Sequence, residues 1–207
     1  MAGTKHDVAT EARILKAARD VFRAQGYAGA RMEEIAARAQ INKSMLHYYY
    51  RSKEKLFEVI FQSDIAEIAP LLQSVMFSDL PLFEKIRTFT REYIEVMQRL
   101  PYVPGFIIHE LSRNPTELVR SMQTRVGPDL GPFYRQVNEA VARGEIRPID
   151  PGQLLVSIMA TCVFPFVGKP VVQMALQLDE AGFDAFLEAR KTHVAELILL
   201  SLRPIPS

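Results

Sequence analysis

The chain has 207 residues, 48% of them hydrophobic, enough to bury a substantial core, and one cysteine, Cys162. A single thiol excludes an intrachain disulfide and any cysteine-based zinc site, and it suits a reducing cytoplasm. The formal charge of +1 is unevenly spread: residues 1–62 hold 11 of the 25 Lys+Arg and 7 of the 24 Asp+Glu, leaving 14 and 17 for the rest. A mildly basic head suits a polyanion, and an acidic body suits a different partner.

The opening residues MAGTKHDVATEAR have no apolar stretch after their charges, and the apolar run from Leu154 to Val167 is broken by Pro165 and too short to cross a bilayer. The expectation is a cytoplasmic protein with no membrane partner.

Ile14, Leu15, Ala18, Val21 and Phe22 follow the spacing of a helix that buries one face, and Gly26 supplies its stop. A second short pattern runs from about Met32 to Ala39, with Met32, Ile35, Ala36 and Ala39 on one side. After a tight turn, Asn42 caps a third helix from Lys43 to about Tyr50. Ser52 caps a fourth, whose apolar stripe of Leu56, Phe57, Ile60, Phe61, Ile65 and Ile68 leads to an expected end or kink at Pro70. Further helical patterns cover roughly 79–99, 103–113, 115–143 with a break near Gly127-Pro128 and Gly131-Pro132, 151–167 and 183–202. Gly144 ends one of these, and Asp150-Pro151 starts the next. No strand alternation competes, so the fold class is all-α, with about nine helices.

Two short helices joined by a tight turn, with a longer helix in front and a capped one behind, form the arrangement that presents one helix to a DNA major groove. The third helix is the candidate reader. Leu46 and Tyr50, four apart, share its inward face, which leaves Lys43, Ser44, Met45, His47 and Tyr48 outward. Lysine and histidine donate to base edges or phosphates, serine serves either way, and methionine or tyrosine can meet a thymine methyl. Arg31, Tyr49 and Lys53 are the candidate phosphate contacts that fix register, Lys53 lying at a positive helix N-terminus. Double-stranded DNA is therefore the expected partner. The alternative is a helical module that uses the aromatic cluster at 47–50 for a protein partner and binds no specific DNA.

The stretch IAARAQINKSMLHYYYRSKEKL resembles the TetR/AcrR family pattern I-A-x-x-A-G-V-S-x-G-x-L-Y-x-H-F-x-S-K-E-x-L, matching it at Ile35, Ala36, Ala39, Leu46, Ser52, Lys53, Glu54 and Leu56. Upstream, ILKAARDVFRAQGY is similar to the family's first helix, so the resemblance covers about residues 8–62. It departs at Gln40, where the family has a turn glycine, and at His47, Tyr49, Tyr50 and Arg51. Ala30 and Arg31 stand where a Ser or Thr usually caps the second helix.

The resemblance implies a three-helix DNA-binding head at residues 1–62 and a ligand-binding and dimerisation body at 63–207. In such a body the last two helices pair with a second subunit and the middle ones surround a small-molecule effector. The candidate dimer residues are Leu154, Leu155, Ile158 and Cys162 on the penultimate helix, and Phe186, Val194, Leu197, Ile198 and Leu202 on the last. Ordinary intrachain packing would produce the same apolar faces. A homodimer would set two reader helices about 34–36 Å apart on a pseudo-palindromic operator. The candidate effector residues are Tyr93, Met97, Phe106, His109, Glu110, Phe133, Met159, Phe164, Phe166 and Met174: large apolar walls with few polar groups, suited to a hydrophobic molecule. Effector binding would favour a reader spacing that misses adjacent grooves, with the fourth helix carrying the movement.

No enzyme is expected. His109-Glu110 lacks the second histidine of a zinc-protease motif, since Arg113 stands there, and no glycine-rich phosphate loop appears. No catalytic residue, metal site or cofactor is assigned. Cys162 is read as a small buried hydrophobe. The expected function is a ligand-released transcriptional repressor.

Overall fold

The computed structural model describes residues 2–116, 118–120 and 130–204, without the side chains of 2–6 and 71. All regular structure among these residues is helical. Ten α-helices follow in order: α1 (Ala2–Gly29), α2 (Met32–Arg38), α3 (Lys43–Tyr49), α4 (Lys53–Met76), α5 (Leu82–Arg99), α6 (Val103–Arg113), α7 (Gly131–Ala142), α8 (Pro151–Val167), α9 (Lys169–Leu176) and α10 (Glu180–Leu202). Residues 115–116 and 118–120 are helical as well. No single helix among them is long and apolar enough to cross a membrane.

Several ends follow from local chemistry. Gly26 adopts φ +68, a left-handed value that breaks helical geometry inside α1, and a last short turn closes through Ala30 N–H to the Gly26 carbonyl at 3.3 Å. Asp150 caps α8 by accepting from Gln153 N–H at 2.9 Å. Gly144, at φ +70, reverses the chain after α7.

Three expectations need correction. Of the end or kink expected at Pro70, the end is not found: α4 continues to Met76, and one lost helical N–H is outweighed by burying Ile68, Ala69, Val75 and Met76. After Gly168 the chain forms a separate helix, α9, with Pro170 in its first turn, rather than irregular structure. The last helix begins at Glu180 instead of 183, because Asp179 caps it by accepting from Gly182 N–H at 2.8 Å. Of the two Gly-Pro breaks expected within 115–143, Gly131-Pro132 opens α7, and Gly127-Pro128 lies outside the described residues.

The chain divides into two compact units, one of Met1–Glu67 with Leu100–Arg113, the other of Ile68–Arg99 with Asn114–Ser207. In the first, Ile14, Phe22, Ile35, Leu46, Leu56, Phe57 and Ile60 form a fully buried core. An aromatic cluster extends it. Phe57 meets Phe22 edge-on at 4.6 Å, Phe106 at 4.1 Å and Tyr102 at 5.6 Å. Asp64, buried beside this cluster, accepts from the Tyr102 hydroxyl at 2.6 Å and from Arg19 Nε at 3.1 Å, so the carboxylate is paired inside.

In the second unit α5 packs on α10 and α8, and α8 also on α7. The α5 stripe of Leu82, Ile86, Phe89, Tyr93 and Met97 faces Leu154, Ile158 and Cys162 of α8 and Leu187, Val194, Ile198 and Leu202 of α10, all buried. Arg87 Nε to Glu196 at 3.0 Å and Gln98 to Glu188 at 3.1 Å add polar ties at the surface, where such pairs contribute little beside the apolar burial.

Candidate nucleic-acid interface

The reader element is built outward from its buried anchors. Ile35 and Ala36 of α2 are covered, and the chain turns through Gln40, at φ +56, with Ile41 N–H donating back to the Ala36 carbonyl at 3.0 Å. Asn42 then starts α3 by accepting from Met45 N–H at 2.7 Å. Leu46 and Tyr50 point into the first unit, and Lys43, Ser44, Met45, His47 and Tyr48 are exposed, Tyr48 at 83%.

The candidate phosphate contacts differ in their surroundings. Arg31 is exposed at the extended N-cap of α2, which no side chain caps; Glu33 and Glu34 instead set negative charge in that first turn. Lys43 pairs with Glu33, which holds the Glu33 carboxyl below its usual range. Lys53 turns inward, donating to the carbonyls of Tyr27 at 2.8 Å and Ala30 at 3.1 Å, and so joins α4 to the end of α1.

The departures at 49 and 50 have partners on α1. The Tyr49 hydroxyl donates to Asp7, and the Tyr50 hydroxyl donates to Glu11 at 2.9 Å. Burial, and then Glu11, raise the Tyr50 phenol far above its usual range. Two consecutive tyrosines thus meet two carboxylates one helical turn apart. Sequence reading missed Asp7 and Glu11, although their spacing of four was a visible signal.

Residues 14–60 match the family described as bacterial regulatory proteins, tetR family. The chain is 27% identical to the HTH-type transcriptional regulator RutR of Escherichia coli K12 over 195 residues, covering 92% of this chain and 89% of RutR. It is 31% identical to the transcriptional regulator UidR of the same strain over 144 residues, 67% of this chain and 70% of UidR. The chain belongs to the tetR family. It is a helix-turn-helix transcriptional regulator, from a family of regulators and not of enzymes. Its fold is also similar to that of the Bacillus subtilis transcriptional regulator FadR, solved in complex with stearoyl-CoA: TM-score 0.61 at 18% identity, covering 92% of this chain and 98% of FadR.

In this tetR-family chain the candidate effector residues are divided between the two units. Phe106 is buried in the first unit against Phe57, and His109, exposed on the same helix, lies 5.0 Å from the Tyr27 ring. Glu110, half-buried, also belongs to that unit. Tyr93, Met97 and Phe133 are core residues of the second unit; Met159, Phe164 and Met174 are exposed and Phe166 is half-buried. The second unit has a small apolar cavity lined by Met76, Lys85, Ile86, Phe89, Phe133, Leu155 and Ile158. Of the expected pocket only Phe133 borders it, joined by two residues expected at the dimer face.

The expected dimer residues are mostly covered by their own chain. Leu154, Ile158, Cys162, Val194, Ile198 and Leu202 are buried, Leu155 and Phe186 half-buried, and Leu197 exposed. Helical periodicity marks an apolar face without naming what covers it, and here six of the nine are intrachain core. The exposed large apolar side chains on these helices are Val156, Met159, Phe164, Val167, Leu197 and Leu200. Among the described residues, no group of three or more His, Cys, Asp or Glu is placed to hold a metal ion.

Proposed function

We propose that this chain is a cytoplasmic transcriptional repressor that binds a pseudo-palindromic operator as a homodimer through α3 and is released by a small apolar effector. In this reading residues 1–62 bind DNA and 63–207 bind the effector and the second subunit. The observation that carries it is the outward face of α3. Ser44, Met45, His47 and Tyr48 are exposed in a row while Leu46 and Tyr50 fix the helix from behind, the presentation a major-groove reader needs. Dimerisation draws support from the exposed large apolar side chains of α8 and α10, since exposed apolar surface is what an association site covers. An apolar effector draws support from the cavity walls and from the likeness in fold to a regulator that binds stearoyl-CoA.

The test is binding of the purified full-length protein to duplex DNA from beside its own gene, as a salt series, for wild type, Arg31→Ala and Tyr48→Ala. Wild type is expected to bind one short palindrome with two chains. Arg31→Ala should weaken all sequences alike and lower the salt slope by about one. Tyr48→Ala should change base preference at one position. Binding that shows no preference for any duplex at low salt would remove the operator reading.

A further inference from the structure

Lys85 lies where a lysine does not belong by packing. It falls on the inward stripe of α5 with Leu82, Ile86 and Phe89, and it is only 3% exposed. Its Nζ donates to the carbonyl of Met76, the last residue of α4, at 3.1 Å. No carboxylate among the described residues is close enough to pair with it, and Asp79 acts only as a nearby charge. An ammonium has three donors, and leaving it buried against one neutral carbonyl is costly. Burial lowers the Lys85 pKa accordingly, with Asp79 opposing.

The side chain also borders the apolar cavity of the second unit, beside Met76, Phe89 and Phe133. As it stands that cavity has room for about one water molecule. Two walls can give way: Met76 is a flexible thioether, and Leu155 is only half-buried. A buried cation short of anionic partners, beside an apolar space, is complementary to one ligand chemistry, an apolar body that ends in a carboxylate.

We propose that Lys85 is the charge anchor of the effector site and that the effector is an apolar carboxylate, which takes the Lys85 ammonium from the Met76 carbonyl. This rests on the effector-released reading above and names the ligand class for it. The Met76 carbonyl ends α4, a helix that runs unbroken from Lys53. A cation there stabilises the negative end of the helix dipole. An arriving carboxylate competes for that cation, so ligand charge is felt directly at the terminus of α4.

The test uses matched probes on the full-length protein: benzoate against benzyl alcohol and decanoate against decanol, with affinities from calorimetric titration. Wild type is expected to prefer the carboxylate of at least one pair by about tenfold or more, as charge-assisted bonding gives. Lys85→Met should bring that ratio to about one, and Lys85→Arg should keep much of it. The methionine variant is expected to fold, because it replaces a buried charge with a thioether of similar shape. Equal wild-type affinity for acid and alcohol, or a preference that survives in Lys85→Met, overturns the anchor. So does failure of both carboxylates to bind. A thermal-shift screen of uncharged aromatic compounds separates the two readings: a hit that releases DNA keeps the effector reading while the anchor falls, and no hit removes both.

Discussion

The Lys53 ammonium stands 4.7 Å above the centre of the Tyr27 ring and donates to the Tyr27 carbonyl at 2.8 Å. With Ala28 and Ala30 also accepting from it, Lys53 satisfies backbone carbonyls left open where Gly26 breaks α1. Lys53→Met keeps the stem and drops the donors. It is expected to lower stability by about 1–3 kcal/mol, the usual range for hydrogen bonds from a charged group, measured by urea denaturation. An unchanged midpoint would show that water replaces these bonds without loss.

Gln40 occupies the left-handed region at φ +56, in the turn that sets α3 against α2. A side chain there costs about 1–2 kcal/mol, part of which glycine returns through its own chain entropy. Gln40→Gly should therefore stabilise the protein by about 0.5–1 kcal/mol, seen as a higher melting temperature, and Gln40→Ala should not. A lower melting temperature for the glycine variant would mean that the Gln40 side chain makes a contribution larger than its strain.

The head was legible because its signals are local. Asn42, Leu46 and Ser52 act within a few residues of where they stand, and spacing alone locates them. The Tyr50–Glu11 and Tyr102–Asp64 bonds join residues 39 and 38 positions apart, which no periodicity reveals. In the body, period located the apolar faces of α8 and α10 without distinguishing Leu154, inside, from Phe164, outside. Lys85 was readable in principle: it interrupts the α5 stripe at an inward position, and a polar residue there is the exception that marks a site.

Burial, with the Cys162 sulfur adding to it, pushes the Tyr93 phenol up to about 12 from its usual value near 10. A folded-state pKa above the unfolded value means that the native state holds the proton longer. This contribution is complete below about pH 10 and is lost as the pH rises toward 12. Stability should fall by about 1.4 kcal/mol per pH unit for this group across that window. Other buried tyrosines add to the slope, so Tyr93→Phe should make it shallower than wild type without abolishing it. Equal slopes in alkaline urea titrations would sink the assignment.

Cys162 is 1% exposed, and burial raises its thiol to about 12, with Arg190 and Thr90 pulling the other way. At pH 8 roughly one thiol in ten thousand is then ionised, against about one in four for a free cysteine. Ellman's reagent should label the native protein at least about a hundredfold more slowly than the urea-unfolded chain. Rapid native labelling would instead mark Cys162 as an accessible, reactive thiol.

Phe164 and Leu197 are 58% and 50% exposed on α8 and α10, whereas Leu154 on α8 is 1% exposed. The three positions separate association from folding. Phe164→Glu and Leu197→Glu place a charge on a surface that already faces water in the single chain, so each should leave thermal unfolding within about 1 kcal/mol of wild type when measured at concentrations where wild type is also monomeric. If α8 and α10 meet a second copy, the same charges fall into a desolvated interface without a partner and should weaken the dimer by about 3 kcal/mol or more, over a hundredfold in Kd. Leu154→Glu buries its charge in the core of one chain and should unfold it at any concentration. Light scattering across a dilution series reads all three. Full dimer retention in both surface variants would move the two-fold contact away from this face.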